Sequence, residues 1–139
     1  MIWNLFQRGK QSSSPTAYAP HVRGRDAEQM ALRYLEQHGL ELVTRNFRCT
    51  RGEIDLIMWQ GDTLVFVEVR ARRNDNYGSG ADSVDARKQT KLNAAATIYL
   101  QQHALLSTCP CRFDVVAISF ASNPPQLDWI PDAFGAAHF

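Results

Sequence analysis

The chain has no apolar run approaching the ~20 residues that a membrane-spanning helix requires, so no membrane association is expected. Met1-Ile2-Trp3-Asn4-Leu5-Phe6 is apolar, but it lacks a basic flank and is too short for a secretory signal. Cysteine is scarce. Cys49, Cys109 and Cys111 make an odd set, and the Cys109-Pro110-Cys111 spacing matches neither a zinc knuckle nor a thioredoxin-type pair, which leaves free thiols in a reducing cytoplasm as the reading. His21, His38, His103 and His138 are scattered without zinc spacing and read as surface or packing residues. Neither charge sign dominates: 15 Lys and Arg stand against 14 Asp and Glu, a net charge of +1. Affinity for a polyanion must therefore come from local clustering of cations. There is no internal repeat.

What remains is one domain's worth of ordinary globular sequence, 139 residues with 45% hydrophobic and 21% charged side chains. Residues 1–23, with Gln11-Ser12-Ser13-Ser14-Pro15, carry no sustained periodicity and read as a mobile leader ahead of a single domain over 24–134 and a short tail over 135–139. Ala27, Met30, Ala31, Tyr34, Leu35 and His38 recur at helical spacing, which predicts a helix from Arg25 to His38 stopped by Gly39. Extended segments follow at 40–48, 53–59 and 63–71. Arg72 to Asp82 is a polar, glycine-rich loop, and Asp82 or Ser83 is the predicted cap of a second helix from Val84 to His103. Residues 112–120 are almost continuously apolar, as in a central strand, and 127–130 form a short edge strand beyond which the tail frays. The order αβββαβ predicts an α/β fold, a mixed central sheet flanked by helices, with the fourth strand reached through a helical crossover.

Two carboxylates interrupt this apolar framework. With Gly61-Asp62 as the central turn residues, antiparallel pairing sets Asp55 opposite Glu68 and Glu53 opposite Arg70. Alternation then places these four on one sheet face and Ile54, Leu56, Val67 and Val69 on the other. Opposed side chains have Cβ atoms about 4.5–5.5 Å apart, so like charges there repel unless a cation meets them. Mg²⁺ suits such a pair, because it prefers oxygen ligands and often takes only one or two protein carboxylates. The hairpin alone leaves a divalent-metal site and a salt-bridge ladder through Arg70 both open. Glu28, assigned to the first turn of its helix, is on its own explained by complementing the helix dipole.

Glu28, Gly52-Glu53-Ile54-Asp55-Leu56, Phe66-Val67-Glu68-Val69-Arg70, Lys88-Gln89 and Arg112-Phe113-Asp114-Val115-Val116, together with Asn46-Phe47-Arg48, follow one another in an order that closely resembles the YraN family. That family is regarded as predicted endonucleases related to archaeal Holliday-junction resolvases, and the resemblance runs from about Gly24 to Phe134. It implies the restriction-endonuclease-like αβββαβ core with a PD-(D/E)xK site. Asp55 is then the first acid, Glu68 the second and Arg70 the basic residue, with Glu28 the additional acid contributed by the first helix. The implied activity is DNA endonuclease chemistry on branched or single-stranded DNA, with Mg²⁺ or Mn²⁺ as cofactor held by Glu28, Asp55 and Glu68. Arg72, Arg73, Lys88, Gln89 and Lys91 are the implied DNA contacts. DNA is the implied partner, and a homodimer is compatible with the relationship.

One departure matters. The motif usually carries lysine where this chain has Arg70, and an arginine effectively never gives up its proton. Lys88 or Lys91 on the second helix is a candidate replacement for the missing ammonium. The same departure favours an alternative, a non-catalytic DNA-binding or adaptor protein on this fold.

Overall fold

The computed structural model describes residues 20–72 and 84–136. The element order is α1 (Pro20–Gln37), β1 (Glu41–Cys49), β2 (Gly52–Gln60), β3 (Thr63–Arg72), α2 (Ala86–Gln102), β4 (Cys111–Ser119) and β5 (Gln126–Phe134). The strands form one sheet in the order β1-β2-β3-β4-β5. Only β3 and β4 run parallel, as expected when a helix carries the chain between them; the other pairs are antiparallel. This is the mixed α/β, αβββαβ arrangement that the element order predicts.

Each helix covers one face of the sheet. Ala27, Ala31 and Leu35 of α1 pack on Leu56, Met58, Val65, Val67, Val116 and Ile118. Leu92, Ala95, Ala96, Tyr99 and Leu100 of α2 pack on Ile54, Ile57, Leu64, Phe66, Phe113 and Val115 from the other side. Among the described residues no helix is long and apolar enough to cross a membrane.

The predicted stop at Gly39 is a Schellman motif. Leu40 N–H donates to Leu35 O at 3.1 Å and Gly39 N–H to Glu36 O at 3.1 Å. Gly39 takes the positive φ of 94° that this ending requires. The end of α2 repeats the design, Leu105 N–H reaching Leu100 O at 2.8 Å, but Ala104 carries the positive φ of 55°.

Three boundaries differ from the sequence expectation. Helix α1 begins at Pro20, a residue preset for a first turn, so the last residues assigned to the leader are helical; 1–19 lie outside the described residues. Glu28 is consequently in mid-helix, and dipole complementarity no longer accounts for it. The cap of α2 is Asp85, whose carboxylate accepts from Lys88 N–H at 2.9 Å; Asp82 and Ser83 lie outside the described residues. Finally, β5 does not fray at Pro131 but continues to Phe134, whose ring stacks on Phe113 at 4.9 Å.

Candidate active site

The β2–β3 hairpin adopts the register set by its Gly61-Asp62 turn, from Gln60↔Thr63 to Leu56↔Val67. The ladder stops there, one residue before Asp55 would meet Glu68. Asp55 fills the gap with its side chain, Oδ2 accepting the Val69 N–H at 2.8 Å. The carboxylate thus replaces the backbone carbonyl that the parted strands no longer offer.

The parting also overturns the predicted alternation of faces. Ile54 and Leu56, two residues apart, pack into opposite cores, Ile54 beneath α2 and Leu56 beneath α1. The neighbouring strand changes over at the same level: Arg45 pairs with Leu56 and Phe47 with Ile54, while Asn46 between them has φ 54°. A regular strand would hold Asp55 in one face; this twist sets it at the opening between β2 and β3. Glu53 does not stand with Arg70 as the extended register predicts. It pairs with Arg48 across the β1–β2 turn at 3.6 Å, and both side chains are exposed.

Glu68 is buried, its side chain 6% exposed, and its Oε2 is met by two cations, Arg70 Nη1 at 3.4 Å and Lys88 Nζ at 3.6 Å. Asp55 is in a different position. Its carboxyl is pushed up to about 7 from an ordinary value of 3.8, first by burial and then by the adjacent Glu68, with Glu28 adding to the repulsion and the Val69 N–H partly opposing it. Asp55 and Glu68 of β2 and β3 thus touch, with two cations beside Glu68, and Glu28 of α1 lies within electrostatic reach of Asp55. The structure brings together Asp55, Glu68, Arg70 and Lys88.

Among the described residues no three His, Cys, Asp or Glu side chains form a ready-made metal cage. The donor chemistry nevertheless fits a hard divalent cation. Asp55 and Glu68 offer oxygen only, Glu68 is buried and Asp55 half-buried, and Glu68 raises the cost of charging Asp55. Mg²⁺ keeps several waters and is often bound through one or two carboxylates plus substrate phosphate, so a pair with a third acid nearby suffices.

The predicted DNA contacts separate. Lys88 joins the acidic locus, and Lys91 lies one turn further along α2, exposed. Gln89, half-buried in the first turns of α2, donates its amide N–H to Val84 O at 2.9 Å. Arg72 ends β3, half-buried, and Arg73 lies outside the described residues. The cysteines are free thiols, and burial together with Cys109 pushes Cys111 up to about 12, far from a reactive thiolate.

Sequence reasoning missed a second buried carboxylate. Asp114, fully inaccessible, accepts from Arg112 Nε at 2.8 Å, Arg112 Nη2 at 3.1 Å, Trp129 Nε1 at 2.9 Å and the Asp132 N–H at 3.0 Å. The signal was available: Arg112 and Asp114 share one side of a strand that is otherwise almost wholly apolar.

A five-stranded mixed sheet with a helix on each face, opened between β2 and β3 by paired carboxylates, defines a mixed α/β domain with an αβββαβ core. A family model described as "Uncharacterised protein family UPF0102" matches residues 27–118, and the chain belongs to that family, the one its motif string resembles under the name YraN. Similar proteins include a "UPF0102 protein" of Pseudomonas fluorescens, 53% identical over 112 residues that make up 80% of this chain and 91% of the relative. Another from Ectopseudomonas mendocina is 53% identical over 113 residues, 81% of this chain and 94% of the relative. A third from Pseudomonas syringae pv. tomato is 51% identical over 116 residues, 80% of this chain and 91% of the relative. The matched span encloses Glu28, Asp55, Glu68, Arg70 and Lys88.

Proposed function

We propose that this protein is a divalent-metal-dependent DNA endonuclease that hydrolyses phosphodiester bonds, acting on branched or single-stranded DNA. The observation that carries the reading is the contact between the half-buried Asp55 and the buried Glu68 carboxylates, with Glu28 adding its charge and with Arg70 and Lys88 both on the Glu68 side.

Asp55 and Glu68 are the residues that would hold Mg²⁺ or Mn²⁺, whose part is Lewis acidity toward a phosphate oxygen and toward the attacking water. The Val69 N–H fixes the rotamer of Asp55 through a single 2.8 Å bond, so this ligand is preorganised by backbone. Arg70 cannot serve as a base, but its guanidinium can pair with a phosphate and offset charge in the transition state. Lys88 brings to Glu68, from the first turn of α2, the ammonium group that the family motif expects from the strand. The departure at Arg70 is thereby offset from another element.

The test is cleavage of branched, single-stranded and plasmid DNA with Mg²⁺ and Mn²⁺. Asp55→Ala and Glu68→Ala should each lower the rate by about 10²–10³-fold or more, as expected when charge stabilisation at the reacting phosphate is lost. Activity untouched by both substitutions would remove the site. Arg70 in place of lysine favours a second reading, a DNA-binding adaptor on the same fold, and calorimetry with Mn²⁺ separates the two: the adaptor needs no ion, with or without DNA.

A further inference from the structure

We propose that the face of α2 and the β1–β2 turn form one continuous groove that holds the phosphates flanking the scissile one. The inference rests on the endonuclease reading for its ligand, a DNA strand, but not for its residues.

Two open clefts lie side by side on this face. One, of about 240 Å³, is lined by Arg70, Asp85, Arg87, Lys88 and Lys91. The other, of about 360 Å³, is lined by Arg48, Thr50, Arg51, Glu53 and Lys91 with the backbone of Gly52. Lys91 lines both, so the clefts adjoin at this side chain, and Arg70 and Lys88 tie the first to the carboxylate locus. Their walls carry six cations against two acids, in a chain whose net charge is only +1. Cationic clustering on this scale is a polyanion signature rather than a property of the whole surface.

Both acids are already committed. Asp85 caps α2 through the Lys88 N–H, and Glu53 pairs with Arg48. The grip on a strand therefore belongs to Arg51 and Thr50 from the turn and to Arg87 and Lys91 from the helix. Arg87 and Lys91, four residues apart, are neighbours along one side of α2, a spacing that lets them follow a backbone.

Glycine at position 52 lets the turn lie close against α2. A Cβ there would stand 3.3 Å from Lys91 O, so the turn rests directly on the helix backbone. Arg51 and Lys91 thus share one wall. Backbone contacts of this kind carry no sequence information, which suits an enzyme that selects DNA by structure.

The experiment is equilibrium binding of the full chain to a labelled single-stranded DNA oligonucleotide and to its duplex, in EDTA so that cleavage plays no part, across salt from about 50 to 200 mM. Arg51→Ala and Lys91→Ala should each weaken binding about tenfold at the lowest salt and flatten the slope of log K against log salt by about one. Arg51→Lys should retain the slope. Arg33→Ala, exposed on α1 across the sheet, should bind like the wild type. Wild-type slopes in both Arg51→Ala and Lys91→Ala, or no DNA binding by the wild type, overturn the groove. If the slopes fall while Asp55→Ala and Glu68→Ala leave cleavage intact, the groove stands and the active-site assignment fails; if the slopes hold while cleavage depends on both acids, the reverse is true.

Discussion

Asp55 and Asp114 lie on either side of β3, and both occupy a break in the sheet. Asp55 takes the Val69 N–H where β2 and β3 part. Asp114, in register with Val67, takes the Asp132 N–H where β5 bulges away from β4. From there they diverge. Asp114 also receives two nitrogens of the Arg112 fork and the Trp129 indole, so its charge is matched by donors fixed in place. Asp55 faces two further carboxylates, and the cations near it are drawn to Glu68. One acid is a fastener and the other an under-compensated charge. Burial of a carboxylate alone marks neither role; the partners do.

The comparison breaks most severely at Asp114. Asp114→Ala strands the Arg112 guanidinium, the Trp129 indole and the Asp132 N–H together, and should cost about 3–5 kcal/mol by urea unfolding, the range for removing one partner of a buried, hydrogen-bonded charge pair. Asp114→Asn, which keeps an acceptor, should cost less. A loss below about 1 kcal/mol for the alanine variant would show that β4 and β5 hold without the carboxylate, leaving Asp114 no more structural than a surface ion pair.

Much of this was legible in sequence, because it follows from local rules. The Gly61-Asp62 turn fixes the hairpin register, Gly39 ends α1 in a motif only a positive φ allows, and the continuous apolar run of β4 marks an interior strand. The locus of Glu28, Asp55 and Glu68 was legible as residues but not as geometry. Strict alternation assumes a regular strand, whereas Asp55 sits where the ladder gives out and the strand turns over. The extension of β5 past Pro131 was hidden for a related reason, since its anchor is a side chain 18 residues away in sequence. The groove along α2 could not be read either, as Arg51 and Lys91 meet only once the turn is laid on the helix.

At Asp55 the same kind of substitution should act with the opposite sign. Its carboxyl is pushed up to about 7 in the folded chain against 3.8 ordinarily, so between those pH values the native state binds more protons than the unfolded one and stability falls as pH rises. Asp55→Asn removes that slope. In EDTA the variant should be more stable than the wild type by about 1–3 kcal/mol at pH 8, since each tenfold change in proton affinity is worth roughly 1.4 kcal/mol and burying an amide offsets part of the gain. At about pH 4 the gain should be gone, because the wild-type carboxyl is then neutral in the folded chain. Mn²⁺ at about 100 times its Kd should restore about 2.7 kcal/mol to the wild type and far less to the variant. Parallel pH curves for the two proteins would mean that neither burial nor the neighbouring acids raise the Asp55 carboxyl.

The smallest expected effect sharpens the contrast best, because it asks how much redundancy Asp114 has. Trp129→Phe removes one of its four donors while keeping a ring at the edge of Tyr34, 6.2 Å away, and of His38, 5.7 Å away. The carboxylate stays paired with the Arg112 fork and the Asp132 N–H, so no charge is stranded and the cost should be about 1 kcal/mol, that of a single hydrogen bond. A cost near that of Asp114→Ala would mean that the indole holds the whole cluster together. Asp114 would then be as poorly compensated as Asp55, and the distinction between the two acids would rest on one tryptophan rather than on the number of donors.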